Sequence, residues 1–207
     1  MMLRAFKLPL VTCTLVALLA TACASTQLTS TWKDPEYRVR PAKIMVISVD
    51  ENPLTRNFFE NEFVERIKAR GTEAVASYTV LSSWLQNDPA AIAAKVAELR
   101  VDAVLITRLV SKNMARGFVP KTANNPAPYS PKWEDYYGYG NQSIYPSGII
   151  AEEGVAVIET RMYEAANFKV VWSALSESAV GGSYQQHIQA YIDTMVKTMT
   201  EQGLLGK

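Results

Sequence analysis

The chain has 207 residues, with 21 basic and 20 acidic side chains, one histidine and two cysteines. This length favours a single domain that can bury a core without disulfides or metals. The near-neutral charge argues against a general nucleic-acid binder held by phosphate contacts. One histidine and two cysteines are too few for a His- or Cys-rich metal site, so we expect neither a metal nor a cofactor.

The first 22 residues have the organisation of an export signal. Arg4 and Lys7 precede an apolar run of 15 residues from Leu8 to Ala22. A helix needs about 20 apolar residues to cross a membrane, so the run predicts a cleaved signal peptide over residues 1–22. The alternative is an ordinary secretory signal with a cysteine nearby by chance.

The end of this run, Leu19 to Cys23, resembles the lipobox of bacterial lipoproteins. The resemblance implies cleavage before Cys23 and attachment of acyl chains such as palmitate to that residue. Ala20 departs from the Leu that is usual in the lipobox, and Leu19 lies one position earlier. By resemblance to the sorting of Gram-negative lipoproteins, Ala24 rather than an Asp after the cysteine implies an anchor in the cell outer membrane. The protein is then expected to face the periplasm.

Processing there would leave residues 23–31 as a lipidated cysteine and a tether, followed by one globular domain over residues 32–207. The tether is expected to be flexible because its residues are small and polar. Cys13 would leave with the signal, so the mature chain would hold no intrachain disulfide and no cysteine nucleophile.

Three apolar, β-branched runs predict strands in the first half of the domain. They are Lys43 to Val49, Glu73 to Val80 and Val101 to Val110. Helical segments separate them. This alternation predicts two crossover units and a mixed sheet with helices packed on it.

The two helices between these strands carry the same start signal. Asn52-Pro53 and Asp88-Pro89 each supply an N-cap followed by a proline at the first helical position. Gly71 is expected just beyond the end of the first helix. The second helix is expected to reach Arg100.

Residues 113–149 break this pattern. The segment contains five of the ten prolines and five of the ten tyrosines, without a sustained period. Insertions of this length tend to be functional or disordered. Exposed aromatic side chains offer rigid amphipathic surface for binding, although they could also fold back onto the domain. The candidate partner-binding residues are Tyr129, Trp133, Tyr136, Tyr137, Tyr139 and Tyr145.

The last part of the chain predicts an antiparallel hairpin and a helix. Val155 to Tyr163 and Lys169 to Leu175 flank a turn, and Ser183 to Glu201 follows as an amphipathic helix. We therefore predict an α/β fold at the border with α+β. It has a mixed sheet of about five strands and three helices, in the order β-α-β-α-β-(loop)-β-β-α. The apolar stripe of the helix comprises Tyr184, Ile188, Tyr191, Ile192, Met195, Val196 and Met199.

Acidic residues lie where the first strand meets the first helix. Asp50-Glu51, with Arg56 one turn beyond, occupy the position at which open α/β sheets often bind ligands. We favour the alternative that these acids are solvated and stabilise the helix N-terminus. Charge pairing with Arg66 and Lys68, or a solvated helix face, accounts for Glu60 and Glu62.

The sequence offers no catalytic constellation. His187 is the sole histidine, and its place in the last helix predicts a surface or boundary side chain. Neither a GxSxG nor an HExxH motif is present.

Several sequence segments together resemble those of a family of Gram-negative lipoproteins built on a domain of unknown function. The order of elements also looks like the periplasmic domain of the curli-secretion channel lipoprotein and the amino-terminal domain of the Tol-system translocation protein. The resemblance covers most of the mature chain and implies no catalytic residue. Besides the lipobox, the segments that carry this resemblance are Ser30 to Pro35, Lys43 to Gly71, Val101 to Ile106, Glu159 to Glu164 and Val171 to Ser173.

These observations predict a lipid-anchored, non-enzymatic envelope protein that binds a protein or a peptidoglycan partner through residues 113–149. An oligomerising assembly or secretion factor of the outer membrane is the second hypothesis, suggested by the architectural likeness. A hydrolase is the third.

Overall fold

The structure is a computed structural model and describes residues 26–82, 88–114, 154–180 and 183–206. Within these ranges one mixed sheet has six strands. They are β1 (Thr26–Lys33), β2 (Lys43–Val49), β3 (Glu73–Ala76), β4 (Ala103–Met114), β5 (Gly154–Glu164) and β6 (Val170–Val180). The spatial order is β1-β6-β5-β4-β2-β3. Strand β2 is parallel to β3 and β4, whereas the other neighbours are antiparallel.

Three helices accompany the sheet in the described part of the chain: α1 (Pro53–Ala69), α2 (Pro89–Glu98) and α3 (Tyr184–Glu201). The predicted α/β class is confirmed. The Asn52 side chain accepts a hydrogen bond from the Leu54 amide, and the Asp88 side chain accepts one from the Ala90 amide. None of these helices combines the length and apolarity needed to span a membrane.

Gly71 ends α1 as the sequence predicts. Its φ of 75° lies in the left-handed region that glycine adopts without steric penalty. Arg100 occupies the equivalent position after α2 with a φ of 51°.

Strand β2 is buried on both faces, which explains its unbroken apolar sequence. Ile44 and Val46 belong to a core covered by α1 and α3. Met45 and Ile47 belong to a second core, on the opposite face, covered by α2. We call these the first and second faces of the sheet.

Helix α3 docks on the first face through its predicted apolar stripe. The Tyr191 ring lies 5.6 Å from that of Phe59 on α1, measured between centroids, and its hydroxyl bonds to Thr160 on β5. Tyr184, in contrast, is 52% exposed in the first turn of the helix. The buried members of the stripe are Ile188, Tyr191, Ile192, Met195, Val196 and Met199.

The sixth strand is a difference from the sequence analysis. The segment from Thr26 to Thr31, which composition assigned to a flexible tether, is most of β1. It pairs antiparallel with β6, so a partner distant in sequence supplies its backbone hydrogen bonds. A segment rich in Thr and Ser can form a strand when a neighbouring strand is available. Composition alone does not show that such a neighbour exists.

Strand β3 is shorter than predicted. It ends at Ala76, and residues Ser77–Thr79 form a 3-10 turn where the sequence suggested strand up to Val80. The Ser77 hydroxyl and the Tyr78 amide donate hydrogen bonds to the Glu60 carboxylate on α1. These donors are therefore committed to the helix rather than to a neighbouring strand.

Candidate functional site

One end of the sheet holds the junction of β2 with α1 and the residues that flank the long segment between β4 and β5. Thr26 at the start of β1 pairs with Ser178 near the end of β6, and Met114 at the end of β4 pairs with Gly154 at the start of β5. Strand β2, parallel to β4, also ends toward this side, so α1 and α3 both begin there. We call this side the Thr26 end.

The acids predicted at the junction of β2 and α1 lie there. Asp50 is half-buried, and its carboxylate accepts a hydrogen bond of 2.8 Å from the Asn52 amide, which turns the chain into α1. Burial raises the pKa of Asp50. Glu51 is exposed.

Arg56, one turn into α1, belongs to a buried ion pair with Glu60. It is 7% exposed, and its Nε lies 3.3 Å from Oε1 of Glu60, which is fully buried. Oε1 also accepts from the Ser48 amide at 3.0 Å and from the Ser77 hydroxyl at 2.8 Å. Oε2 accepts from the Tyr78 amide at 3.0 Å. Glu60 therefore joins the end of β2 to the turn after β3.

The environment of Glu60 favours a structural role over proton transfer. Burial raises the pKa of Glu60, and the hydrogen bonds from Ser48 and Tyr78 oppose that rise. Both carboxylate oxygens are already engaged by donors. Nη2 of Arg56 is buried without a hydrogen-bond partner.

The expected partners of the two glutamates on α1 are only partly those observed. Glu62 pairs with Arg66 at 2.5 Å, as predicted, and Arg66 also bonds to Asp193 on α3. Glu60 pairs with Arg56 instead of Arg66 or Lys68, and it lies in the core rather than on a solvated face. The four-residue spacing of Arg56 and Glu60 was the available signal.

A second ion cluster, which the sequence analysis missed, lies on the second face and has two buried arginines. Glu159 on β5 receives both Nε and Nη2 of Arg108 at 3.1 and 2.8 Å on Oε2. It receives the same two atoms of Arg161 at 2.9 and 2.7 Å on Oε1. The guanidinium groups act as planar forks on one carboxylate. The alternation of Glu159 and Arg161 along a strand was the sequence signal for their shared face.

The Thr26 end also exposes apolar side chains. Leu54, in the first turn of α1, is 80% exposed, and Tyr184 in the first turn of α3 is half-exposed. The two helices that carry them both begin at this end. Leu28, Val110 and Val155 are exposed near the same end.

The opposite end holds a shallow cleft of about 360 Å³. Tyr37, Val39, Asp102 and Phe168 are among the residues that line it. Burial, with Glu164 and Asp102 nearby, raises the pKa of Tyr37 to about 12. Oδ2 of Asp102 accepts hydrogen bonds from the backbone amides of Ala42 and Lys43.

The remaining candidate residues have simple positions. His187 is half-buried in the first turns of α3. Cys23 and the six aromatic candidates, Tyr129, Trp133, Tyr136, Tyr137, Tyr139 and Tyr145, lie outside the described residues. Within the four described ranges, no group of three or more His, Cys, Asp or Glu side chains could hold a metal ion.

No protein-family model matches the chain, and no curated protein is similar to it in sequence. Solved structures that resemble it include the PelC dodecamer from Paraburkholderia phytofirmans. That likeness has a TM-score of 0.47 and 14% identity, over 88% of this chain and 99% of PelC. The lipoprotein GNA1162 from Neisseria meningitidis has a TM-score of 0.43 and 13% identity, over 78% of this chain and 99% of that chain. Similarity at this level does not carry a function from one protein to another.

Proposed function

We propose that this chain is a lipid-anchored protein of the cell envelope that binds a protein or cell-wall partner and catalyses no reaction. The observation that carries the proposal is the position of β1. Only two residues separate the lipobox Cys23 from Thr26, where the sheet begins. Cleavage before Cys23 would remove the whole export signal and leave every described strand intact.

The state of the charged side chains supports a binding role over catalysis. A general acid or base needs an oxygen or nitrogen that can reach a substrate proton. The carboxylates of Glu60, Glu159 and Asp102 are each engaged by at least two donors within the fold.

The aromatic insertion is the proposed partner-binding segment. Nearly all of it lies between Met114 and Gly154, which are paired in the sheet, so the two ends of that stretch lie side by side at the Thr26 end. Its tyrosines and Trp133 provide large contact area with few rotatable bonds. The anchor and the partner-binding segment would then share one end of the domain.

Labelling with a fatty-acid analogue tests the anchor. Cys23→Ser should abolish incorporation and release the protein from membranes or leave an unprocessed precursor, because serine cannot carry the thioether-linked lipid. Cys13→Ser, which changes the cysteine inside the signal, is the matched control and should label normally. Equal incorporation into Cys23→Ser and the unchanged chain would refute the anchor.

Crosslinking in native membranes, followed by partner identification, tests the binding segment. Replacing residues 120–146 by a short Gly/Ser linker should remove the crosslinked partner. The triple change of Trp133, Tyr136 and Tyr137 to Ala should weaken the crosslink while preserving the backbone. Trp32→Ala changes a Trp that is 41% exposed near the opposite end, and it is the control. A crosslink that survives the replacement would place the interface on the sheet or helices.

Oligomeric state separates this proposal from the assembly hypothesis. Size-exclusion chromatography with light scattering on the full lipidated chain in detergent should give a monomer. A ring-sized particle would favour an oligomerising assembly factor instead.

A further inference from the structure

The start of β1 restricts how far the domain can lie from a lipid on Cys23. Three Cα-to-Cα steps join Cys23 to Thr26, and each spans at most about 3.6 Å along an extended chain, so the two residues are within roughly 11 Å. Thr26 is fixed in the sheet, where its hydroxyl lies 2.8 Å from that of Ser178. The Thr26 end, rather than a flexible linker, is therefore what the anchor would hold close to the bilayer.

The exposed apolar side chains are distributed unequally between the two ends. Seven large apolar residues are exposed in the described part of the chain. Trp32 near the end of β1 and Val39 beyond that strand lie toward the opposite end. The other five lie toward the Thr26 end: Leu28, Leu54, Val110, Val155 and Tyr184.

Leu54 and Tyr184 are suited to a bilayer surface. Leu54 is 80% exposed in the first turn of α1, where its side chain gains nothing from burial within the described fold. Tyrosine has an apolar ring and a polar hydroxyl, and it is enriched where membrane meets water. Both residues lie in the first turn of a helix that begins at the Thr26 end.

We infer that the Thr26 end of the domain lies on the bilayer that holds the acyl chains of Cys23, with Leu54 and Tyr184 in contact with lipid. This inference rests on the lipid anchor proposed above. The occupant of the surface at Leu54 and Tyr184 is the membrane rather than the partner proposed for residues 113–149, because the anchor holds the bilayer within reach of this end at all times. A permanently tethered partner acts at a high effective concentration, so even a small apolar contact is populated.

Single introduced cysteines test the contact in the full lipidated chain. Cys23 is the only cysteine of the mature sequence, and its acylated thiol would not react with a maleimide dye. Leu54→Cys and Tyr184→Cys carry a polarity-sensitive fluorophore at the Thr26 end. Val39→Cys is the matched control, because Val39 is also an exposed apolar residue but lies at the opposite end. The unchanged chain, treated with the same dye, reports whether Cys23 is acylated.

The labelled proteins are reconstituted into phosphatidylethanolamine–phosphatidylglycerol vesicles with or without brominated acyl chains. We expect the emission at positions 54 and 184 to shift to shorter wavelength and to lose most of its intensity on brominated lipid. The emission at position 39 should be the same in both vesicles. Equal quenching at 54 and 39, or none at 54, overturns the inference while leaving the anchor intact. Dye uptake by the unchanged chain, with no fatty-acid incorporation, overturns the anchor itself and the inference with it.

Discussion

Two carboxylates join neighbouring parallel strands, one at each end of the sheet, and they do so in opposite environments. Glu60 is fully buried and connects the end of β2 to the turn after β3. Asp102 is exposed, and its Oδ2 accepts hydrogen bonds of 2.9 Å from the amides of Ala42 and Lys43 at the start of β2.

The difference shows that solvent access determines how much a carboxylate–amide hydrogen bond contributes to the free energy of unfolding. If Asp102 is removed, water can reach the two exposed amides and replace the carboxylate. If Glu60 is removed, the Ser48 amide and the Arg56 guanidinium stay buried without their acceptor, and the partly buried Tyr78 amide loses it too. Losing one member of a buried pair leaves an uncompensated charge, which is much more destabilising than losing a surface contact.

The largest effect is expected when a carboxylate is buried without donors. Ile192 is fully buried on α3 in the apolar core of the first face. Ile192→Asp should lower the free energy of unfolding by several kcal/mol, on the order of the whole stability of a small domain. Circular dichroism during thermal unfolding measures the loss. Gln185→Asp, at an exposed position of the same helix, should melt near the unchanged chain. A normal melting temperature for Ile192→Asp would mean that the stripe does not pack on the sheet.

Removing the buried carboxylate comes next. Glu60→Ala should lower the free energy of unfolding by about 3–5 kcal/mol, because it strands Arg56 and two backbone amides. Glu62→Ala is the control on the same helix, since its pairing with Arg66 near the surface is worth less than about 1 kcal/mol. Urea denaturation of both variants gives the comparison. Equal losses would show that the burial of Glu60 does not matter.

The exposed carboxylate should matter less. Asp102→Ala removes two hydrogen bonds whose donors water can reach, so we expect a loss of about 1 kcal/mol. Hydrogen exchange should also become faster at the amides of Ala42 and Lys43, while the amides of Ser48 and Tyr78 keep their protection. A loss as large as that of Glu60→Ala would contradict the role of solvent access.

The smallest effect is a dependence on pH. Burial raises the pKa of Glu60 above its ordinary value of 4.5, so the unfolded chain ionises this group first as pH rises. Its contribution is therefore complete below about pH 4.5 and declines as pH increases through the folded pKa. Relative to Glu60→Gln, which does not titrate, the unchanged chain should lose stability as pH is raised from 4 to 7. Urea denaturation across this range measures the gap; a constant or growing advantage of the unchanged chain would exclude a raised pKa.

Local signals in the sequence were sufficient for the helices and the central strands. Asn52 and Asp88 begin α1 and α2 because a side-chain oxygen followed by proline satisfies and fixes the first turn. The apolar run of β2 predicts a strand buried on both faces, and the stripe of α3 predicts its docking. These signals act over a few residues, so they can be read without knowing the fold.

The positions of some candidate residues followed from their neighbours in sequence, whereas those of others depended on distant segments. The position of Asp50 at the end of β2 followed from element order, because the end of a strand and the start of the next helix are adjacent in sequence. The burial of Glu60 did not follow, because its donors Ser48 and Ser77 come from two separate segments, the end of β2 and the turn after β3. The same holds for Glu159, whose partner Arg108 is 51 residues away along the chain.

The sequence by itself determined the export signal pattern, the α/β class, the helix starts and the apolar stripe, because periodicity and capping are local properties. Only the tertiary structure decided that Thr26–Lys33 is a strand, since its backbone partner β6 begins well over 100 residues later. It also decided which glutamate is buried and which apolar residues share the Thr26 end. Those outcomes depend on which distant segments meet, and pairing between strands is fixed by the whole sheet rather than by any one of its segments.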